Sequence, residues 1–269
     1  MLSLDEFGGP VRASITVLAT SGLRQCRERY EQLTQAVREH SPDVVAVCGD
    51  FLEHPRFEAA DRISVETCAA ILAGLQCHEL IAARGLRDSI LLNQLKGSWP
   101  DEGLEFCLLN RSAKVLKRAV AVGFPPRSQF DEPWQNRYAE FRRWFSPILE
   151  THISAARTLW LLPEPPAFDM HQFTDTCREW RKAIDKFLPK VVLFGGGLNA
   201  PVTDDRMLWF ANRETLLINL SQSPGEPLRY CCMELMFMGN VPCLPSEIEV
   251  TAHPAKESTT INGECWRFG

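Results

Sequence analysis

An α/β fold built on parallel strands is predicted by two features of the 269-residue sequence. Short, wholly apolar runs such as VVAVC and TLWLL recur along the chain. Between them lie stretches whose apolar residues recur at helical spacing. Forty-five per cent hydrophobic and 23% charged residues supply an ordinary globular core, and no run approaches the roughly 20 apolar residues a bilayer crossing needs. The single division expected is one domain over residues 1–269.

Ile15 to Thr20 reads as a first strand, Arg24 to His40 as an amphipathic helix with Tyr30, Leu33 and Val37 on one face, and Val44 to Cys48 as a buried strand, together a β-α-β unit. Glu58 to Gly74 reads as helix, Cys77 to Ala83 as strand and Ile90 to Leu95 as a short helix; strands follow near Phe106 to Leu109 and Val120 to Phe124. A helix from Trp134 to His152 leads to strand Thr158 to Leu162, helix Asp175 to Leu188 and strand Val191 to Phe194. From Thr215 the segments TLLINLS, LRYCCMELMFM and SEIEVTAH read as strands, with turns at SPGEP and MGN, and suggest hairpins beside a mainly parallel sheet.

Composition excludes several functions. Twenty-nine Lys and Arg against 34 Asp and Glu give a net charge of −5, so no basic footprint points to nucleic acid or an anionic membrane. The start, MLSLDEFGGPVRAS, lacks the basic and apolar stretches of a secretory signal, and a cytoplasmic protein is expected. Ten cysteines, several in strand-like runs, with no C-x-x-C, read as reduced core thiols rather than a disulfide framework or zinc knuckle. His40, His78, His152, His171 and His253 show no metal-ligand spacing; GGGLNAP fits neither a dinucleotide nor a P-loop pattern, and no G-x-S-x-G is present.

In open α/β folds ligands bind beyond the carboxyl ends of the strands. The loops there read TSGLRQ, GDFLEH, RGLRDS, PEPPAF and GGGLNAP. In this order they resemble the signature blocks of the calcineurin-like metallophosphoesterases: S-D-x-H, G-D-x-x-D, G-N-H-D or G-N-H-E, a strand ending in His, and G-H-x-H. LLINLSQS stands where an N-x-G-S segment follows. The resemblance runs from Ile15 to Ser221 and implies a sandwich of two mixed β-sheets flanked by helices.

That family's chemistry uses two divalent ions about 3.5 to 4 Å apart, bridged by a carboxylate and ringed by His, Asn and Asp. Here Gly22 stands for the first aspartate, Arg24 for the first histidine, Leu86 for the asparagine and Arg87 for the proton-donor histidine. Pro163 replaces the fourth-block histidine, and Gly196 and Leu198 replace both histidines of the fifth. Asp50, at the bridging position, and Asp88 are the remnants. Gly, Leu and Pro side chains carry no donor atom for a metal and arginine is a cation. At an effective dielectric of 20, one such charge 4 Å from a divalent ion costs about 8 kcal/mol. The resemblance therefore implies a pseudoenzyme with no catalytic residues, metal or cofactor, one or both arginines pairing with Asp50, and a scaffold-like role with a protein partner.

Two alternatives use other residues. A reduced site with a single Mn or other divalent ion at Asp50, aided by Glu53, His54 or Asp88, makes the chain a metal-dependent phosphoesterase. Arg24 and Arg87 left free make it a metal-free phosphate or anion sensor. Asp88 otherwise reads as the N-cap of the helix at SILLNQL. The stripe Trp134, Tyr138, Phe141, Trp144 and Phe145, beside Arg137, Arg142 and Arg143, reads as a packing face or a partner surface. Met233, Met236, Phe237 and Met238 read as buried.

Overall fold

The structure is a computed structural model that describes residues 12–52, 62–85, 88, 91–110, 112–116, 119–124, 158–166, 175–195, 208–210, 215–222, 226–238, 241–242, 247–251 and 258–262. Its strands, in chain order, are β1 (Arg12–Thr20), β2 (Val44–Cys48), β3 (Glu79–Ala83), β4 (Phe106–Leu109), β5 (Ser112–Leu116), β6 (Ala119–Gly123), β7 (Thr158–Leu162), β8 (Val191–Phe194), β9 (Leu208–Phe210), β10 (Leu216–Asn219), β11 (Tyr230–Met238), β12 (Val241–Pro242), β13 (Glu247–Thr251) and β14 (Ser258–Asn262). The helices are α1 (Arg27–His40), α2 (Val65–Ala73), α3 (Leu92–Gly97) and α4 (Asp175–Phe187).

The strands form two sheets. Among the described residues, one runs in the order β14-β13-β11-β1-β2-β3-β4 with β12 paired to β11, the other β5-β6-β7-β8-β10-β9. Both are mixed. β1, β2, β3 and β4 are mutually parallel, while β11 runs antiparallel to β1. In the second sheet β6, β7, β8 and β10 are parallel, with β5 and β9 antiparallel at the edges. The expected sandwich of two mixed sheets is the observed architecture. The tail departs from simple hairpins: β10 lies parallel to β8 in one sheet, whereas β11 belongs to the other.

Three apolar layers follow from strand alternation. Val17, Ala46, Ile81, Leu159, Leu193 and Ile218 face between the sheets. Leu18, Val45, Val47 and Leu80 face outward against Leu33 and Val37 of α1 and Leu72 of α2. Val120, Trp160 and Val192 face α4 through Trp180 and Ile184. Strands buried on both faces lose the polar/apolar alternation, which is why VVAVC and TLWLL are apolar throughout. Cys48 and Cys231 are buried free thiols in these strands, and Cys232, its side chain alternating across β11, is half-buried.

Helix ends are set locally. Ser64 caps α2, its hydroxyl accepting from the Thr67 N–H at 3.1 Å. α2 starts there rather than at Glu58, and residues 53–61 lie outside the described chain. α1 ends at Ser41, which is left-handed (φ 45°) and returns its N–H to Val37 O. α1 also begins three residues later than the periodicity suggests, because Arg24 and Gln25 adopt positive φ (50° and 56°) that a helix cannot contain. The predicted helix Trp134 to His152, with its aromatic stripe, lies outside the described residues.

Candidate functional site

All five loops that carry the family resemblance leave the carboxyl ends of β1, β2, β3, β7 and β8, and their strand-proximal residues meet at one point. Loops one and two continue the parallel pairing beyond their strands: Gly22 N–H donates to Gly49 O (3.1 Å), Arg24 N–H to Asp50 O (3.0 Å) and Gln25 N–H to Phe51 O (3.3 Å). Ser21 Oγ donates to Cys48 O at 2.9 Å. Gly49, in loop two, packs on Gly85 of loop three and Pro163 of loop four; a Cβ there would lie 3.0 Å from Gly85 Cα and 3.2 Å from Pro163 Cβ. Gly195 of loop five presses on loops one and two, with no room for a Cβ beside Ser21 Oγ and Cys48 O. The glycines persist because backbone approaches backbone at this point.

The two remnant carboxylates lie together here. A Cβ on Gly85 would stand 2.4 Å from Asp50 Oδ1 and 2.9 Å from Asp88 Oδ2. Asp50 is 5% exposed and Asp88 wholly buried. Asp50 itself has positive φ (51°), which Asp tolerates better than most residues. Asp88 Oδ1 accepts the Leu52 N–H at 2.7 Å and Oδ2 the Gly85 N–H at 2.7 Å; the Asp50 backbone N–H is a third partner. Its carboxyl is pushed well above the usual carboxylate range, first by burial and then by the charge of Asp50, against the pull of these three N–H groups.

This corrects the N-cap reading of Asp88. α3 begins at Leu92 with Leu91 at its cap and no side-chain cap bond. The Asp88 carboxyl turns back to loop two and to the start of its own loop because three buried backbone donors there, on Asp50, Leu52 and Gly85, need acceptors. Its backbone oxygen alone serves the helix, accepting from Leu92 N–H at 3.0 Å.

Arg24 is buried, and its Nη2 donates to Gln222 O at 3.4 Å. Thus Gly22, Arg24, Asp50, Asp88 and Pro163 come to one place, while Glu53, His54, Leu86, Arg87, Gly196 and Leu198 lie outside the described residues. Gln222 and Arg29 are structural members of the site that the motif comparison did not single out. Gln222 Nε2 donates to Ser21 O and to Gly22 O, the latter at 3.3 Å, and its Oε1 accepts from Arg229 N–H at 2.7 Å. Arg29 donates to Gly22 O and, through Nη2, to Glu226 O at 2.8 Å. Its pKa is lowered by burial and by neighbouring Arg24. The signal for Gln222 was its place in LLINLSQS; nothing local distinguishes Arg29 from any other helix arginine.

These residues do not fit a binuclear metal centre. Gly22 and Pro163 bring no donor atom, Arg24 brings positive charge, and both Asp88 oxygens already accept backbone hydrogens. Among the described residues no three His, Cys, Asp or Glu side chains group as ligands.

No family model matches the chain, and no curated protein does. Solved structures do. YfkN from Bacillus subtilis, a calcineurin-like phosphoesterase, aligns with a TM-score of 0.52 at 11% identity, over 86% of this chain and 88% of its own. A dimetal phosphatase from Danio rerio aligns at 0.54 and 11%, over 94% and 99%. The fold is that of the calcineurin-like phosphoesterases. GAP50, described as the anchor in the inner membrane complex of Plasmodium, shares it with a TM-score of 0.61 at 8% identity, covering 94% of this chain and 90% of that one. On this phosphoesterase fold the five converging loops occupy the expected end of the sandwich. Among the described residues, no helix is long and apolar enough to cross a membrane.

Proposed function

We propose that this chain is a pseudoenzyme: a phosphoesterase-fold protein that acts by binding a protein partner and performs no two-metal hydrolysis. The observation that carries the reading is the state of the loop junction. Five loops converge as a metal centre requires, yet among the described residues the side chains they deliver beside Asp50 are glycine, proline, a buried arginine and an aspartate whose oxygens hold backbone N–H groups. Two-metal hydrolysis needs several donors converging on each ion and an open position for water. The anchor GAP50 is a precedent for this fold in an assembly role. A cytoplasmic location agrees with the sequence.

The test is metal content together with turnover. The full chain is equilibrated with manganese, desalted and subjected to elemental analysis, alongside Asp50→Asn, which keeps the side-chain size and tolerates the left-handed backbone at this position. Both are then assayed on phosphomonoesters and phosphodiesters. Metal far below one ion per chain in both proteins, with no turnover, is expected. One or two ions per chain in the native protein, lost in Asp50→Asn together with hydrolysis of a phosphoester, overturns the reading and favours the reduced site at Asp50.

A further inference from the structure

The mismatch between the donor set and a binuclear centre raises a second question: what holds the loop ends together without ions. In the two-metal chemistry, ligands drawn from successive loops tie those loops through the metals. Here the strand-proximal residues Gly22, Arg24, Asp50, Gly85, Pro163 and Gly195 are all buried. Among the described residues, the Asp88 side chain reaches between two of these loops. From loop three, Asp88 accepts the N–H of Leu52, 36 residues earlier in loop two, with one oxygen, and the N–H of Gly85 in its own loop with the other.

We infer that Asp88 is an internal staple, a carboxyl group that ties loops two and three at the strand ends, without metal, by accepting backbone N–H groups. This rests on the metal-free reading given above. The chemistry is that of an acceptor in a nest of backbone amides, with the acceptor oxygens supplied by the chain itself. Asp50 completes the arrangement as the donor of the third N–H. Its own N–H and the Gly85 Cα are so close that only glycine fits at 85, where a Cβ would lie 2.2 Å from Asp50 N.

Two measurements on the full chain test the staple. Hydrogen exchange is compared between native protein and Asp88→Asn, whose amide puts an N–H in place of one of the two oxygens that accept from Leu52 and Gly85. At least one of the Leu52 and Gly85 amides is expected to lose protection by about 10- to 100-fold, the range for leaving a buried donor unsatisfied, while amides of β7 in the second sheet keep theirs. Unchanged protection at Leu52 and Gly85 overturns the staple. If Asp88→Asn does not fold, the native protein still decides: the thermal midpoint is expected to be the same in manganese and in chelator. A midpoint several degrees higher in manganese means that ions do the tying and overturns it. The two readings fail separately. Unchanged exchange with no metal response removes the staple and leaves the pseudoenzyme standing; phosphoester turnover with bound metal removes the pseudoenzyme.

Discussion

Gly195→Ala is the sharpest test of the junction, because one methyl group would have to sit between the two sheets. The added Cβ stands 2.1 Å from Ser21 Oγ and 2.2 Å from Cys48 O, against the 3.0 Å that real Cβ atoms do not undercut. Cys48 O belongs to a wholly buried strand and cannot swing aside, so loop five must lift or β8 must shift. Overpacking of this kind costs about 1 to 3 kcal/mol. The Ser21 Oγ bond to Cys48 O at 2.9 Å is lost as the hydroxyl is displaced, adding about 1 kcal/mol. The expected destabilisation is about 3 kcal/mol. For a chain of this size that lowers Tm by roughly 6 to 12 °C, read by circular dichroism or calorimetry. Gly97→Ala is the control, since no atom lies within 4 Å of its Cβ position at the end of α3; alanine there is expected to leave Tm unchanged or raise it slightly. A fall of less than about 2 °C for Gly195→Ala, no larger than the control, would mean that loop five does not press on loops one and two and would refute the convergence argument.

Tyr30→Phe removes the hydroxyl that donates to Phe51 O at 2.9 Å and joins α1 to loop two; Phe51 O keeps the Gln25 N–H, so the expected loss is that of one hydrogen bond, about 0.5 to 1.5 kcal/mol, measured by urea denaturation. Asp88 predicts an unusual pH profile. Its folded pKa lies above its unfolded value, so between the ordinary carboxylate range and the raised folded value the native state holds the extra proton, and stability falls as pH rises. Asp88→Asn is expected to flatten that slope in Tm measured from pH 4 upward, and an unchanged slope assigns it to another group. Lys114, on edge strand β5, reaches Glu79 of the other sheet and Glu105, each at 3.6 Å. Lys114→Met is expected to cost no more than about 1 kcal/mol at low salt, with the difference shrinking in high salt; a salt-independent loss points to packing instead.

What could be read from the sequence tracks local physics. β2, β7 and β8 lie where their apolar runs were read, Val44–Cys48, Thr158–Leu162 and Val191–Phe194, because a strand buried on both faces has no polar positions to blur its ends; the half-buried β4, Phe106–Leu109, was read from its apolar run as well. β5 escaped notice: SAKVL is an edge strand whose inward lysine serves an ion pair between the sheets, and its apolar content is too low to signal burial. The three residues of β9 and the polar STTIN of β14 are likewise strands by virtue of their partners. The late start of α1 was hidden because Arg24 and Gln25 are held in left-handed backbone by bonds to Asp50 O and Phe51 O, contacts made across the fold.

The loop order, the absence of metal-ligand side chains at Gly22, Arg24 and Pro163, and the presence of Asp50 and Asp88 were set by the sequence alone, since they concern which atoms the chain carries. Where the carboxylates point was not. Asp88 before an apolar run satisfies every local criterion for a helix cap, yet its oxygens serve Leu52 and Gly85. The tail was assigned to two sheets in the same way, β11 by pairing with β1 some two hundred residues earlier and β10 by pairing with β8. Side-chain chemistry is a local property of a sequence. The choice among equally able hydrogen-bond partners depends on which of them burial would otherwise leave unsatisfied, and only the folded chain decides that.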